Sequence, residues 1–423
     1  MERQAHTLAT GQPDAPLFSR GMSAVLIAQF LSAFADNAIL VGAIKLVITL
    51  SQQKGMDALL QGSFVLPYIV LAPFVGLLAD ALPKGRVMWL ANAVKLASGS
   101  AMLLIALQGS QGTVLWVILA YVLTGIGAAV YSPAKYGILT QLCAPRQLVQ
   151  ANGLMEGSTI VAILLGFVCG GWLADVSLVL LLTVITACYG LAVGLSLLIP
   201  RLPIVHPHQR VSIWVMIGDF TGAVTTLLRD RQARTSLLGT SMFWGSGSTL
   251  RLVLFAWVPF ALGLTETSSA TNLGGVVSVG IIVGAGLAAC CIKLEQATRA
   301  LWAGLCIGLP LLFMGWASEL WHAGAMLMGL GTAAGFFVVP LNALLQTRGQ
   351  VSVGAGHAIA VQNFCENLLI AAFVGLHYLA SQWFNPAQEV FAFGLLLVGL
   401  MGLLLLSYHL GKRTPPLVAE EAV

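Results

Sequence analysis

Twelve runs of apolar residues, each near the ~20 that a helix needs to cross a hydrocarbon core, dominate this chain of 423 residues. They fall at 22–50, 58–81, 87–108, 113–134, 152–173, 178–199, 236–262, 272–292, 300–318, 322–346, 356–380 and 389–411. Backbone N–H and C=O groups find no water inside lipid, so runs of this length must bond internally as helices. The expected fold is an all-α polytopic membrane protein with twelve transmembrane helices. Composition agrees: 9% of residues are charged, against roughly 25% in soluble domains, too few to coat a protein of this size in water. The same shortage excludes a cytosolic enzyme, a nucleic-acid binder and a disordered chain. The first twenty residues contain Glu2, Arg3, Asp14 and two prolines, too polar for a signal-peptide core, so the first run reads as a true span.

Lys and Arg placement sets the expected orientation. Fifteen basic residues (Arg3, Arg20, Lys84, Arg86, Arg146, Arg201, Arg210, Arg229, Arg231, Arg234, Lys293, Arg299, Arg348, Lys412 and Arg413) fall on the side shared by both termini. Only Lys45 and Lys54 fall on the other. Both termini are therefore expected in the cytoplasm, which requires an even number of spans. Seven cysteines, an odd count without a C-x-x-C pair or a Cys/His cluster, support neither disulfides nor a metal site, and no cofactor is expected.

The longest hydrophilic interruption, residues 201–235, divides the chain into an N-terminal six-helix half (1–200) and a C-terminal six-helix half (236–423). Within the interruption Val211 to Leu228 is partly apolar and could lie along the inner membrane surface as a helix. A faint repeat relates the halves. GAAVYSPAKYGIL and AAGFFVVPLNALL align Pro133 with Pro340 and Lys135 with Asn342, and ANGLMEGSTI resembles GHAIAVQNFC at the start of the following span. Six plus six with related halves is the plan of the major facilitator fold, whose site lies near the midplane between the halves.

Six ionisable residues sit inside the runs: Asp36, Lys95, Lys135, Glu156, Arg251 and Glu366. A charge at the centre of an isolated span costs at least ~2.5–3.5 kcal/mol, so each should face a partner or a wet cavity. Asp36 and Arg251 lie on the first span of each half, within two residues of equivalent positions when AQFLSAFADNA is set against TSMFWGSGSTL. They read as a gate or headgroup clamp between the halves, or as a structural ion pair. Lys95 reads equally well as a lysine snorkelling from a peripheral span. Lys135 and Glu156 lie close enough to the inner ends of their spans to pair with each other or to receive a charged group. Gln362, Asn363 and Glu366, with Asn367, make one polar face on the eleventh span. Asn37, Gln29 and Asn342 extend the same polar lining. Asp36, Glu156 and Glu366 are the candidates for carrying a coupled proton.

Between the second and third spans, GLLADALPKGR places Gly76, Asp80, Gly85 and Arg86 in the loop motif G-x-L-a-D-x-x-G-R of major facilitator transporters, with extra residues in the turn. Gly76 permits close packing, Asp80 can sit against a helix N-terminus, and Lys84 and Arg86 hold the loop inside. The spacings Gly166/Gly170, Gly280/Gly284 and Gly331/Gly335 mark small-residue helix contacts.

The segments QFLSAFADNA (29–38), LAPFVGLLAD (71–80), KGRVM (84–88), YSPAKYGIL (131–139), ANGLMEGSTI (151–160), GTSMFWGSGSTLR (239–251), FFVVPLNALLQTRG (336–349) and VGAGHAIAVQN (353–363) resemble the bacterial lysophospholipid transporter family, LplT, of the major facilitator superfamily. The likeness runs in order from the first span through the eleventh. It departs from the family pattern at Ala35 and Cys365, where glycines are expected, and at His357 for an asparagine. The resemblance implies a flippase in the bacterial inner membrane that carries lysophosphatidylethanolamine and lysophosphatidylglycerol to the cytoplasmic leaflet for reacylation. It also implies a functional partner, an acyl-acyl-carrier-protein (acyl-ACP) synthetase/acyltransferase. A proton-coupled exporter of small amphiphiles or drugs is the alternative with the same fold. An embedded acyltransferase is not supported: no histidine precedes an Asp by five residues, and no G-x-S-x-G or phosphate-binding glycine loop occurs.

Overall fold

The computed structural model describes residues 18–50, 55–108, 114–143, 148–200 and 213–410; within these, side chains at 76–81, 136, 140, 148–150, 152, 153, 156, 213, 350, 355 and 356 are not described. The N-terminal half comprises α1 (Arg20–Leu50), α2 (Met56–Ala81), α3 (Lys84–Gln108), α4 (Val114–Leu142), α5 (Leu148–Val176) and α6 (Leu178–Leu197). A linking helix α7 (Ile213–Arg229) leads to α8 (Arg231–Leu262), α9 (Thr267–Cys291), α10 (Leu301–Phe313), α11 (Leu320–Ser352), α12 (Ala355–Trp383) and α13 (Pro386–Leu410). Among the described residues twelve helical segments are long and apolar enough to cross a membrane, α10 doing so with the 3-10 turns on either side, Leu294–Ala300 and Met314–Trp316. No strand occurs among them.

Local chemistry sets the helix ends. Ser177 caps α6 by accepting a bond from the Leu180 N–H, and Asp230 caps α8 through the Ala233 N–H. The Asp230 cap starts α8 at Arg231, five residues before the expected boundary at 236. Gly55 and Gly263 take positive φ (79° and 67°) at the turns entering α2 and leaving α8, a backbone state that costs a glycine little. Pro133 in α4 and Pro340 in α11 each remove one ladder bond at matching places in the two halves.

Each half buries its own core. Ile39, Ile44, Leu60, Tyr121 and Leu182 pack the first, and Leu254, Trp257, Leu327, Phe337 and Leu397 the second. Large apolar side chains such as Leu104, Leu191, Phe260 and Leu403 stay on the outer surface, the arrangement lipid favours. Two seams join the halves: α2 packs on α12, and α5 packs on α9. In both, the second span of one half meets the fifth span of the other, so the seams exchange under the pseudo-twofold relation. Helix α7 packs Phe220, Ala223 and Leu227 against Ala72 of α2, Leu345 of α11 and Val361 of α12, and so touches both halves. Its Trp214 is 80% exposed.

Candidate substrate site

On α1, Gln29, Ser32 and Asp36 share a face, and Asn37 is turned about 100° from Asp36. That quarter-turn separates their partners. Asp36 points into its own half: Lys95 Nζ of α3 donates to Oδ2 at 2.6 Å, and the Tyr189 hydroxyl of α6 donates to Oδ1 at 2.8 Å. Asn37 faces the other half and accepts from Arg251 Nη1 of α8 at 3.2 Å. The ionic partner of Asp36 is thus Lys95, and Arg251 reaches the next residue along.

Lys95 is 1% exposed, which removes the snorkelling alternative. It also donates to Ser32 Oγ at 3.0 Å and lies over the Tyr131 ring, 5.1 Å from its centroid. Ser32 in turn donates to Asn92 Oδ1 at 2.9 Å, and Asn92 Nδ2 donates to Ser196 Oγ at 3.2 Å. A continuous polar chain therefore ties α1, α3 and α6 together inside the N-terminal half. A second branch runs toward the basic end, where Gln29 Nε2 donates to Thr159 Oγ1 at 3.0 Å and buried Lys135 Nζ reaches the same oxygen at 3.5 Å.

Arg251 is partly buried at the junction of the halves. Its guanidinium lies 5.2 Å from the centroid of the Phe167 ring of α5, a cation–π contact, and Phe167 packs edge-on against Phe255. Among the described residues Arg251 has no ion-pair partner, and its hydrogen bond to Asn37 uses one of five N–H donors. In the C-terminal half, Gln362 Nε2 donates to Asn342 Oδ1 at 2.7 Å and to Glu366 Oε1 at 2.8 Å. Asn363 Nδ2 crosses to Ser132 Oγ of α4 at 3.4 Å. Lys135 and Asn342, two residues beyond the matching prolines, each bond to the fifth span of their own half.

Of the loop motif, Gly85 packs against Ile199 and Arg86 is exposed. Gly76 and Asp80 belong to α2, and Glu156 to α5, but their side chains lie outside the described residues. The sequence reading missed Tyr189, Tyr131 and the Asn92–Ser32 link. A usable signal for Lys95 was present in ANAVKLASG, where Asn92, Ser98 and Gly99 put small and polar residues on its helix face. No such local signal marks the tyrosines, which read as ordinary core aromatics.

Comparison with known proteins agrees with this architecture. The Major Facilitator Superfamily model matches residues 25–376. A lysophospholipid transporter LplT of Pectobacterium carotovorum subsp. carotovorum (strain PC1) is 49% identical over 87% of this chain and 88% of its own length. That of Serratia proteamaculans (strain 568) is 48% identical over 87% and 90%, and that of Escherichia coli O1:K1 / APEC 48% over 86% and 89%. Solved structures with the same fold include the nucleoside transporter NupG (D323A mutant), with TM-score 0.68 and 12% identity over 92% of this chain and 98% of that one. A bacterial homologue of the human lysosomal transporter Spinster gives TM-score 0.68 and 16% identity, covering 96% and 100%. This chain is a transporter rather than an enzyme, and it belongs to the LplT family of the major facilitator superfamily.

Proposed function

We infer that this protein carries lysophospholipids, chiefly lysophosphatidylethanolamine and lysophosphatidylglycerol, across the bacterial inner membrane to the cytoplasmic leaflet, where they are reacylated. The halves 1–200 and 236–423 rock about the site to expose it to one leaflet and then the other. The basic end faces the cytoplasm with both termini, as the fifteen-to-two distribution of Lys and Arg favours. The family resemblance supplies the partner, an acyl-ACP synthetase/acyltransferase that consumes the delivered lipid.

The observation that carries this reading is Arg251. An arginine held at the junction of two halves with most of its donors unused is a fork for a phosphodiester, and Asn37 beside it completes a polar cradle. Lys135 offers a second cation on the way to the basic end. An ethanolamine ammonium needs a carboxylate, which Asp36, held by Lys95 and Tyr189, or Glu366, which accepts from Gln362, can supply. The single acyl tail stays against apolar helix faces while the headgroup crosses.

The test is uptake of labelled lysophospholipids into energised and de-energised spheroplasts expressing the chain. Losing charge-assisted bonds worth ~1.5–3 kcal/mol, Arg251→Ala should cut uptake by about tenfold or more, and Arg251→Lys should restore part of it. Wild-type uptake by a normally inserted Arg251→Ala protein would sink the headgroup assignment. Competition by dissolved amphiphiles as strong as by lysolipids would favour an exporter of small amphiphiles instead.

A further inference from the structure

At the end of the bundle opposite the basic loops, three titratable side chains unused by the substrate site meet at the α2–α12 seam. His377 of α12 is 4% exposed. Its Nε2 lies 3.0 Å from Asp57 Oδ2, in the first turn of α2, and its Nδ1 is hydrogen-bonded to Oε1 of Glu389, in the first turn of α13. Glu389 is also 4% exposed. His377 and Glu389 belong to the same half, whereas Asp57 belongs to the other.

The geometry counts protons. Both ring nitrogens face carboxylate oxygens, and a carboxylate only accepts. A neutral imidazole donates from one nitrogen, so the closed cluster needs one proton more than a neutral histidine and two carboxylates carry. That proton sits on the ring or on one acid. Separating α2 from α12 removes Asp57 and with it the reason to hold the extra proton. Among the described residues, the other helices packed against α12 bring no charge to this place. Arg231, Arg234 and Arg251 of α8, Arg348 of α11, and Asp219 and Arg229 of α7 lie at the basic end or near mid-membrane. At the start of α11, His322 contacts Ser318 in its own turn and Glu319 accepts from Trp321. Tyr378, the next residue on α12, packs beside Gly55.

We propose that Asp57, His377 and Glu389 form a proton-binding latch across the halves, which holds the outer end of the α2–α12 seam shut when occupied and releases it when the proton leaves. The proposal rests on the rocking of the halves described above. By linkage, the state that binds more protons gains as pH falls. The closed end is therefore favoured by acid outside, and the ratio of closed to open falls up to about tenfold per unit as pH rises through the titration.

The test measures distances between spin labels on Leu59→Cys and Leu379→Cys, both exposed beside the latch, in full-length protein freed of its native cysteines and reconstituted in lipid without substrate. Between about pH 5 and 9, the long-distance population should grow with pH. Both His377→Gln and Asp57→Asn should flatten that response. If the His377 variant does not insert, Asp57→Asn carries the test, since Asp57 lies at the more exposed rim. A wild-type distribution that ignores pH, or a response unchanged in Asp57→Asn, overturns the latch. A distance distribution that shifts with added lysolipid but not with pH would sink the latch and leave the transport reading standing. A pH response in a protein that moves no lysolipid would do the reverse.

Discussion

Lys95 and Asp36 are two charges that lipid would expel separately and the N-terminal half keeps together. Neither would be tolerated alone at that depth, and the Tyr189 hydroxyl, Ser32 and the Tyr131 ring use the remaining bonding capacity of the pair. Removing one partner strands the other, at a cost of ~3–5 kcal/mol. Lys95→Met should therefore lower the thermal unfolding midpoint of the detergent-solubilised protein sharply, and Asp36→Asn added to it should recover much of the loss. Lysophospholipid uptake should not recover in the double variant if the pair also places Asn37 for Arg251. Full recovery of uptake would make the pair purely structural. The six charges inside the apolar runs were legible in the sequence because each broke such a run. Their pairing was not, since Asp36 and Lys95 are 59 positions apart and nothing local shows which way each helix face turns. The assignment of Asp36 to Arg251 missed by one residue on α1, a rotation of about 100°.

Helix contacts show the opposite balance, because glycine spacing is a local pattern. Gly280 of α9 does meet Gly331 of α11, and Gly284 and Gly335 each lie against the facing helix's backbone: a methyl group on Gly284 would collide with the Thr332 carbonyl, and one on Gly335 with that of Ile281. Gly166 of α5 meets the Phe34 carbonyl of α1 in the same manner. These are backbone obstacles that no rotamer change relieves. Gly284→Leu should thus force α9 and α11 apart and lower the yield of folded protein in size-exclusion profiles, whereas Gly286→Leu, where a Cβ meets nothing within 4 Å, should be tolerated. The amphipathic character of α7 was likewise readable from its residues. Its dual contact was not, because docking against Ala72 and Val361 together depends on how the halves are placed.

At the scale of the molecule, the twelve spans were readable because the bilayer imposes a length on each run. The seams escaped such reading, for example the bonds by which Asp175 of α5 accepts from the Thr267 and Ser268 N–H groups at the start of α9, 2.9 and 2.7 Å away, while Lys45 reaches the same carboxylate. Such bonds depend on which ends of which helices converge. Arg251 sits on the half opposite Asn37 with no anion of its own among the described residues, so rocking an empty protein displaces an uncompensated positive charge through part of the membrane field. A full crossing of one charge is worth about 2.3 kcal/mol per 100 mV; the phosphate of bound lysophosphatidylglycerol, whose headgroup carries no ammonium, would cancel it. The return of the empty carrier should therefore respond to voltage more than the loaded step does. An imposed potassium diffusion potential should change net uptake of lysophosphatidylglycerol more than its exchange for itself, and equal effects on both would place the compensating anion already in the protein.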